Sequence, residues 1–279
     1  MRAVAQREEL TARLRAAGCV FAEEEADLLL AATADPTELE HMVEQRVSGV
    51  PLEHLLDWVQ FGGRRIVVEP GVFVPRRRTE LLAREAAELV AAAGARPVLV
   101  ELCCGVGAVA GYVCDRVAGV EVHAVDVDPA AARCARRNLA EHRSPENEPH
   151  VYEPHVYEGD LFEPLPPALR GRVDVLVANP PYVPTAAIAA MPAEARDHEP
   201  RMALDGGHDG LDVLRRVVAR APQWLASGGH LLLELGIDQV PVALAAAAGA
   251  GFVAHAVEDD DLGGTIIVAV RPSIGSGQG

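Results

Sequence analysis

Apolar positions fall into two regimes along the chain. Between about residue 8 and residue 56 they recur at helical spacing: Leu10, Leu14 and Ala17, then Ala26, Leu29 and Leu30, then Leu39, Met42, Val43 and Val47. Asp35-Pro36-Thr37 interrupts that pattern and reads as a helix start, because proline suits the first helical turn. Gly49-Val50-Pro51 ends the next helix, and Pro51 opens another. From residue 97 the pattern changes to short apolar runs alternating with amphipathic stretches. Val98–Leu102, 120–127, Val173–Ala178 and 230–235 read as strands buried on both faces, with helices over about 108–117, 129–142, 211–226 and 239–248. This alternation predicts a parallel sheet covered by helices. Residues 252–257 and 265–270, either side of an Asp- and Gly-rich turn, predict a hairpin that adds an antiparallel edge. The tail after Pro272 is rich in Gly and Ser and predicts a frayed end.

Between the regimes, apolar runs at 58–68 and 72–75 flank Glu69-Pro70-Gly71 and predict a β-hairpin connector turning at Pro-Gly. Thr79 is expected to cap a helix from residue 80 to about 93. The expected organisation is a helical unit over 1–56, a connector over 57–78 and an α/β domain over 79–279. One oddity is Glu-Pro-His-Val-Tyr in direct tandem at 148–152 and 153–157; only one copy can hold a strand register ahead of Glu158-Gly159-Asp160.

Charge narrows the function classes. Twenty-five Lys and Arg against 41 Asp and Glu leave a formal charge of −16, which counts against a partner bound through its phosphate backbone. Arg76-Arg77-Arg78 is the one basic run and reads as a solvated turn. The charged N-terminus has no apolar core of a secretory signal, and 240–257 contains Pro241 among Ala and Gly, so neither reads as a membrane segment. The five cysteines at 19, 103, 104, 114 and 134 form no CxxC pair and no metal-ligand spacing. Reduced thiols in a metal-free cytoplasmic protein are therefore the expectation, with a monomer as the expected state.

The candidate chemistry lies where strands end. Val173–Ala178 runs into Asn179-Pro180-Pro181-Tyr182, a stiff turn at the carboxyl end of a buried strand, where open α/β sheets place ligands. Upstream, Val98–Leu102 runs into Cys103-Cys104-Gly105-Val106-Gly107, whose glycines let a ligand approach the backbone. Asp126 follows Gly105 by twenty-one residues, the spacing of an acid that binds ribose hydroxyls. Asp128 reads as the cap of the next helix, and Asp160 is placed to reach an adenine amino group. Glu101 ahead of the glycine turn repels a pyrophosphate but suits the amine and sulfonium of S-adenosylmethionine. Together these favour a methyltransferase over a dehydrogenase.

The chain resembles the protein-(glutamine-N5) methyltransferases, the HemK/PrmC family, over nearly its whole length. The resemblance rests on Ser48-Gly-Val-Pro-Leu-Glu-His-Leu55, Phe73-Val-Pro-Arg76, Thr79-Glu-Leu-Leu82, the glycine loop, Asn179–Tyr182 and the block from Glu199 to Leu211. It implies a Rossmann-like class I fold and methylation of a protein glutamine, in a peptide release factor or a ribosomal protein. It further implies that residues 103–107, Asp126 and Leu161 line the cofactor, that Asn179 to Tyr182 hold the substrate, and that the helical unit recognises the protein partner. Two positions depart from the family pattern. Cys103 stands where the family has glycine, and Pro75-Arg76-Arg77-Arg78-Thr79-Glu80 replaces Pro-Arg-Pro-x-Thr-Glu, which points to a relative with its own target. The same tetrapeptide serves methyltransferases of nucleic-acid bases. Methylation of a small molecule, or S-adenosylmethionine binding without catalysis, is also compatible with these residues.

Overall fold

The computed structural model describes residues 2–142 and 153–273. Four helices open the chain: α1 (Arg2–Ala16), α2 (Ala22–Ala32), α3 (Pro36–Val47) and α4 (Leu52–Leu56). Their helical-period residues, Leu10, Leu14, Ala26, Leu29, Leu39, Met42 and Val43, bury one another in a core of their own. Asp35 starts α3 by accepting from Thr37 N at 2.8 Å. This unit reaches the rest of the protein through His54 Nε2, 2.9 Å from the Val72 carbonyl, and through Arg46, 3.6 Å from Glu194.

The hairpin is real, but it turns earlier than expected. β1 (Trp58–Phe61) pairs with β2 (Arg64–Val67) around Gly62-Gly63, not around Pro70-Gly71. Both glycines have positive φ, 59° and 89°, as a two-residue hairpin turn of type I′ requires at its central positions. Val59, Phe61, Val68, Val72 and Val74 all join the core beneath the sheet. The next helix, α5 (Thr79–Ala92), also corrects an expectation. Thr79 is its first helical residue rather than its cap, and the preceding Arg78 makes no side-chain capping bond. The Thr79 hydroxyl is committed elsewhere.

A seven-stranded sheet follows, made of β3 (Val98–Leu102), β4 (Glu121–Asp126), β5 (His155–Glu158), β6 (Val173–Ala178), β7 (Leu225–Glu234), β8 (Val253–Asp259) and β9 (Gly264–Val270). Its order is β5-β4-β3-β6-β7-β9-β8, with β9 antiparallel to both neighbours and the other pairs parallel. This is the Rossmann-like sheet expected, and its strand order reverses between β3 and β6, the switch point at which such sheets bind ligands. Helices α6 (Ala108–Cys114), α7 (Pro129–Leu139), α10 (Asp212–Arg220) and α11 (Val240–Gly249) accompany the strands, while α8 (Ala193–His198) and α9 (Arg201–Leu204) lie in the β6–α10 crossover.

Two boundaries differ from the sequence reading. α10 stops at Arg220, where Pro222 turns the chain into a short 3-10 segment. β7 begins at Leu225, five residues before the expected start, because Gly228-Gly229 are absorbed in an irregularity where Val173 pairs Leu225 and Val175 pairs His230. The second copy of the tandem repeat supplies β5 at the sheet edge. The first copy, and the tail from 274, lie outside the described residues.

Candidate active site

The carboxyl ends of β3, β4 and β6 open into one cavity. Glu101, Cys103, Cys104, Gly105, Val106, Asp126, Asp160, Leu161, Asn179, Pro180, Pro181 and Tyr182 all line it. Gly107 is the exception among the candidate residues. It does not line this cavity, and a Cβ there would stand 3.3 Å from Ala135 and Leu139, so this glycine lets α6 close onto α7.

The loop after β3 is held in left-handed backbone. Gly105 has φ 53° and Cys103 also has φ 53°, as does Leu161, across the cavity, at 51°. A side chain at such φ costs on the order of 1–3 kcal/mol, and both strained residues border the same space. Around Gly105 a Cβ would meet nothing within 4 Å, which leaves its backbone open to close approach. Its N–H donates to Asp126 Oδ2 at 2.7 Å, while Asp126 Oδ1 accepts from Asp128 N at 2.9 Å. Burial raises the Asp126 pKa against the pull of those backbone donors. Asp128 caps α7 through Ala130 N at 2.8 Å, as its position ahead of Pro129 foretold. The Asp160 carboxylate is engaged by Arg216 at 2.5 Å. Glu101, 4% exposed, accepts from Ala110 N at 2.8 Å. Desolvation, with the Asp126 charge nearby, pushes its pKa up to about 8.

Opposite the glycine loop stands the tetrapeptide. Asn179 Nδ2 donates to Thr79 Oγ1 at 3.2 Å, and the Tyr182 hydroxyl donates to Glu234 Oε1 at 3.3 Å. Burial pushes the Tyr182 pKa up to about 12, with the Glu234 charge adding to it. The Arg78 guanidinium lies 5.7 Å from the Tyr182 ring centroid and 3.4 Å from Glu234. The Glu199–Leu211 block backs this turn. Glycine is required there: a Cβ on Gly206 would lie 2.6 Å from the Pro181 carbonyl oxygen, and one on Gly210 would lie 2.2 Å from that of Tyr182. Gln239 Nε2 completes the support by donating to the Tyr182 carbonyl at 2.9 Å and to the Asp209 carbonyl at 3.0 Å.

The basic run is a turn with Arg77 and Arg78 exposed, but two of its arginines meet buried partners. Arg76 pairs at 2.6 Å with Glu199, whose side chain is fully buried and also accepts from Val74 N, and Arg78 pairs with the buried Glu234. A buried carboxylate left unpaired is costly, and each of these two has an arginine of the run beside it. Sequence reading missed Glu234 and Gln239, and gave Thr79 the role of a helix cap instead of a partner of Asn179. Glu234 did carry a signal: it is the one charged residue in the otherwise apolar end of β7.

A family model described as "Methyltransferase small domain" matches residues 64–198. The chain is 37% identical over 211 residues to a release factor glutamine methyltransferase of Geobacter sulfurreducens, covering 76% of this chain and 69% of that one. A protein of the same name from Mycolicibacterium smegmatis is 37% identical over 243 residues, covering 81% and 82%. A third relative, 33% identical over 265 residues and covering 94% and 86%, is a 4-amino-L-phenylalanine/4-methylamino-L-phenylalanine methyltransferase of Streptomyces pristinaespiralis.

Proposed function

Because the chain belongs to the family of release factor glutamine methyltransferases, we propose that it moves a methyl group from S-adenosylmethionine to the side-chain amide nitrogen of a protein glutamine, in a release factor or a ribosomal protein. The observation that carries this reading is the shared cavity, with Asn179–Tyr182 on one wall and Glu101, Gly105 and Asp126 on the other.

The residues present fit the cofactor. Glu101 is a buried carboxyl without a cationic partner among the described residues, suited to a ligand that brings positive charge, and the open side of Gly105 admits a close ligand. Asp126 would hold the ribose hydroxyls, and Cys103, Cys104, Val106 and Leu161 would line the nucleoside. When bound, S-adenosylmethionine supplies an electrophilic methyl group on sulfur.

The chain's own task is to prepare the nitrogen. A carboxamide nitrogen is a poor nucleophile, since its lone pair is delocalised into the carbonyl. Asn179 Oδ1 and the Pro180 carbonyl each accept one substrate N–H, which aims the nitrogen and stabilises the positive charge that grows on it. Pro181 stiffens that carbonyl, and the Tyr182 ring packs on the planar amide and excludes water. The alkylated amide is acidic enough to lose its proton without a dedicated base.

Partners follow from charge and architecture. The acidic surface favours a protein partner over nucleic acid, and no helix among the described residues is long and apolar enough to cross a membrane. All five cysteines are free, in keeping with a cytoplasmic setting. The test supplies labelled cofactor with a release factor, ribosomal proteins, duplex DNA, total RNA and 4-amino-L-phenylalanine. Label on a protein glutamine is the expected result; label confined to nucleic acid or to the small amine overturns the assignment.

A further inference from the structure

Glu234 takes no part in the chemistry above, yet it ends β7 at 1% exposure beside the tetrapeptide. β6 and β7 run parallel with Ala178 opposite Leu233, so the next residues on each strand, Asn179 and Glu234, are neighbours. Strand alternation puts both on the face of Val177 and Leu232, the face packed against α5. The first residue of α5 reaches the two of them. Thr79, 4% exposed, accepts from Asn179 Nδ2 at 3.2 Å. Its hydroxyl also works against the burial that raises the Glu234 pKa. Oε1 of that carboxylate serves Tyr182 at 3.3 Å and Arg78 at 3.4 Å, while Oε2 is buried with no partner.

We infer that Glu234 is a positioning residue: acting through Thr79, it fixes which end of the Asn179 carboxamide faces the substrate, and it holds the Tyr182 ring in place. The argument is one of hydrogen-bond polarity. Arg78, 3.4 Å from Oε1, favours the ionised carboxylate against its burial. An ionised carboxylate only accepts, whereas a hydroxyl offers one proton and two lone pairs. The Thr79 proton is therefore assigned to Glu234, whose Oε2 has no other partner, and a lone pair to Asn179. Asn179 must then present its NH₂ group to Thr79, which leaves Oδ1 for the substrate N–H. Without the carboxylate, the Thr79 proton is free to turn to Asn179 Oδ1. The amide then settles the other way round, and two NH₂ groups confront each other across the site.

This inference rests on the amide-methylation reading, so its test needs one arm that does not. Full-length Glu234→Gln, Thr79→Val, Thr79→Ser and the Glu234→Gln/Thr79→Val pair are compared by cofactor calorimetry, by kcat and KM on the methylated protein, and by ¹⁵N NMR of the Asn179 side-chain NH₂ without substrate. Each of Glu234→Gln and Thr79→Val should lower kcat roughly tenfold with cofactor affinity unchanged, and the pair should lose no more than either alone, as expected for residues acting in one chain of bonds. Thr79→Ser, which keeps the hydroxyl, should recover most of the Thr79→Val loss. The Asn179 NH₂ resonances should move in both single variants. Resonances unchanged in both, or kcat losses that multiply independently, overturn the inference. A wild-type enzyme that methylates no glutamine overturns the proposed function instead, and the NMR arm still reads the amide's orientation.

Discussion

Glu101 shows how one buried group links the site to pH. Its folded pKa of about 8 lies above the ordinary 4.5, so the folded protein holds that proton more tightly than the unfolded chain does. The stability it contributes is present below 4.5 and is lost as pH rises to about 8. Thermal melts of the free protein should therefore fall across that window, and Glu101→Gln should flatten the slope. Cofactor binding runs the other way: a cationic ligand needs the carboxylate, so affinity should weaken as pH drops below about 8, an effect calorimetry would show and Glu101→Gln would remove. At the opposite wall, Asn179→Ala should cut turnover on the order of 100-fold with little change in cofactor affinity, the size expected for one oriented polar group. Asp126→Ala should weaken cofactor binding by roughly 1.5–3 kcal/mol, as for a charge-assisted hydrogen bond. Unchanged affinity in that variant would mean the ribose lies elsewhere.

At the scale of elements, the sheet is legible in the sequence because its central strands are apolar on both faces. Val98–Leu102 and Val173–Ala178 coincide with β3 and β6, and the turns after them carry the candidate chemistry. What escapes a sequence reading are features decided by long-range partners. Thr79 has the look of a helix cap, but Asn179, a hundred residues on in the chain, claims its hydroxyl. Arg76 and Arg78 look solvated until two buried carboxylates are known to face them. Pro70-Gly71 does turn the chain, with Val72 N bonded to the Glu69 carbonyl at 3.1 Å, but the paired strands reverse at Gly62-Gly63 instead. The Glu199–Leu211 block is recognisable as a motif, but its purpose shows only in the approach of Gly206 and Gly210 to the Pro181 and Tyr182 carbonyls. That contact gives an element-scale prediction. Gly210→Ala, at φ 79° and with no room for a Cβ, should displace Tyr182 and lower turnover at least tenfold, while circular dichroism and cofactor binding stay near wild type.

For the whole molecule, the separate core of α1–α4 makes that unit removable in principle, but the boundary matters. Val59 and Phe61 of the hairpin belong to the sheet's core, so a chain beginning at Val72 would strip it, whereas one beginning at Asp57 would not. The shorter chain that starts at Asp57 should still bind S-adenosylmethionine and should fail to methylate an intact protein; activity on that protein equal to that of the full chain would rule out a docking role for the helices. The strap from Pro75 to Arg78 has a different kind of consequence, best counted in rotation. Each residue of a helix turns the chain by about 100°. The phase of α5 is set by Leu81, Leu82, Ala86 and Val90 in the core, and at the other end Arg76 is pinned to Glu199. Across the start of this helix, Arg78, Thr79 and Glu80 each meet a different partner: Glu234, Asn179 and the Gly62 N–H. One residue added to the strap has no slack to enter, and would swing all three partners out of step at once. The protein is thus expected to accept many changes of residue in this stretch more readily than a single change of length.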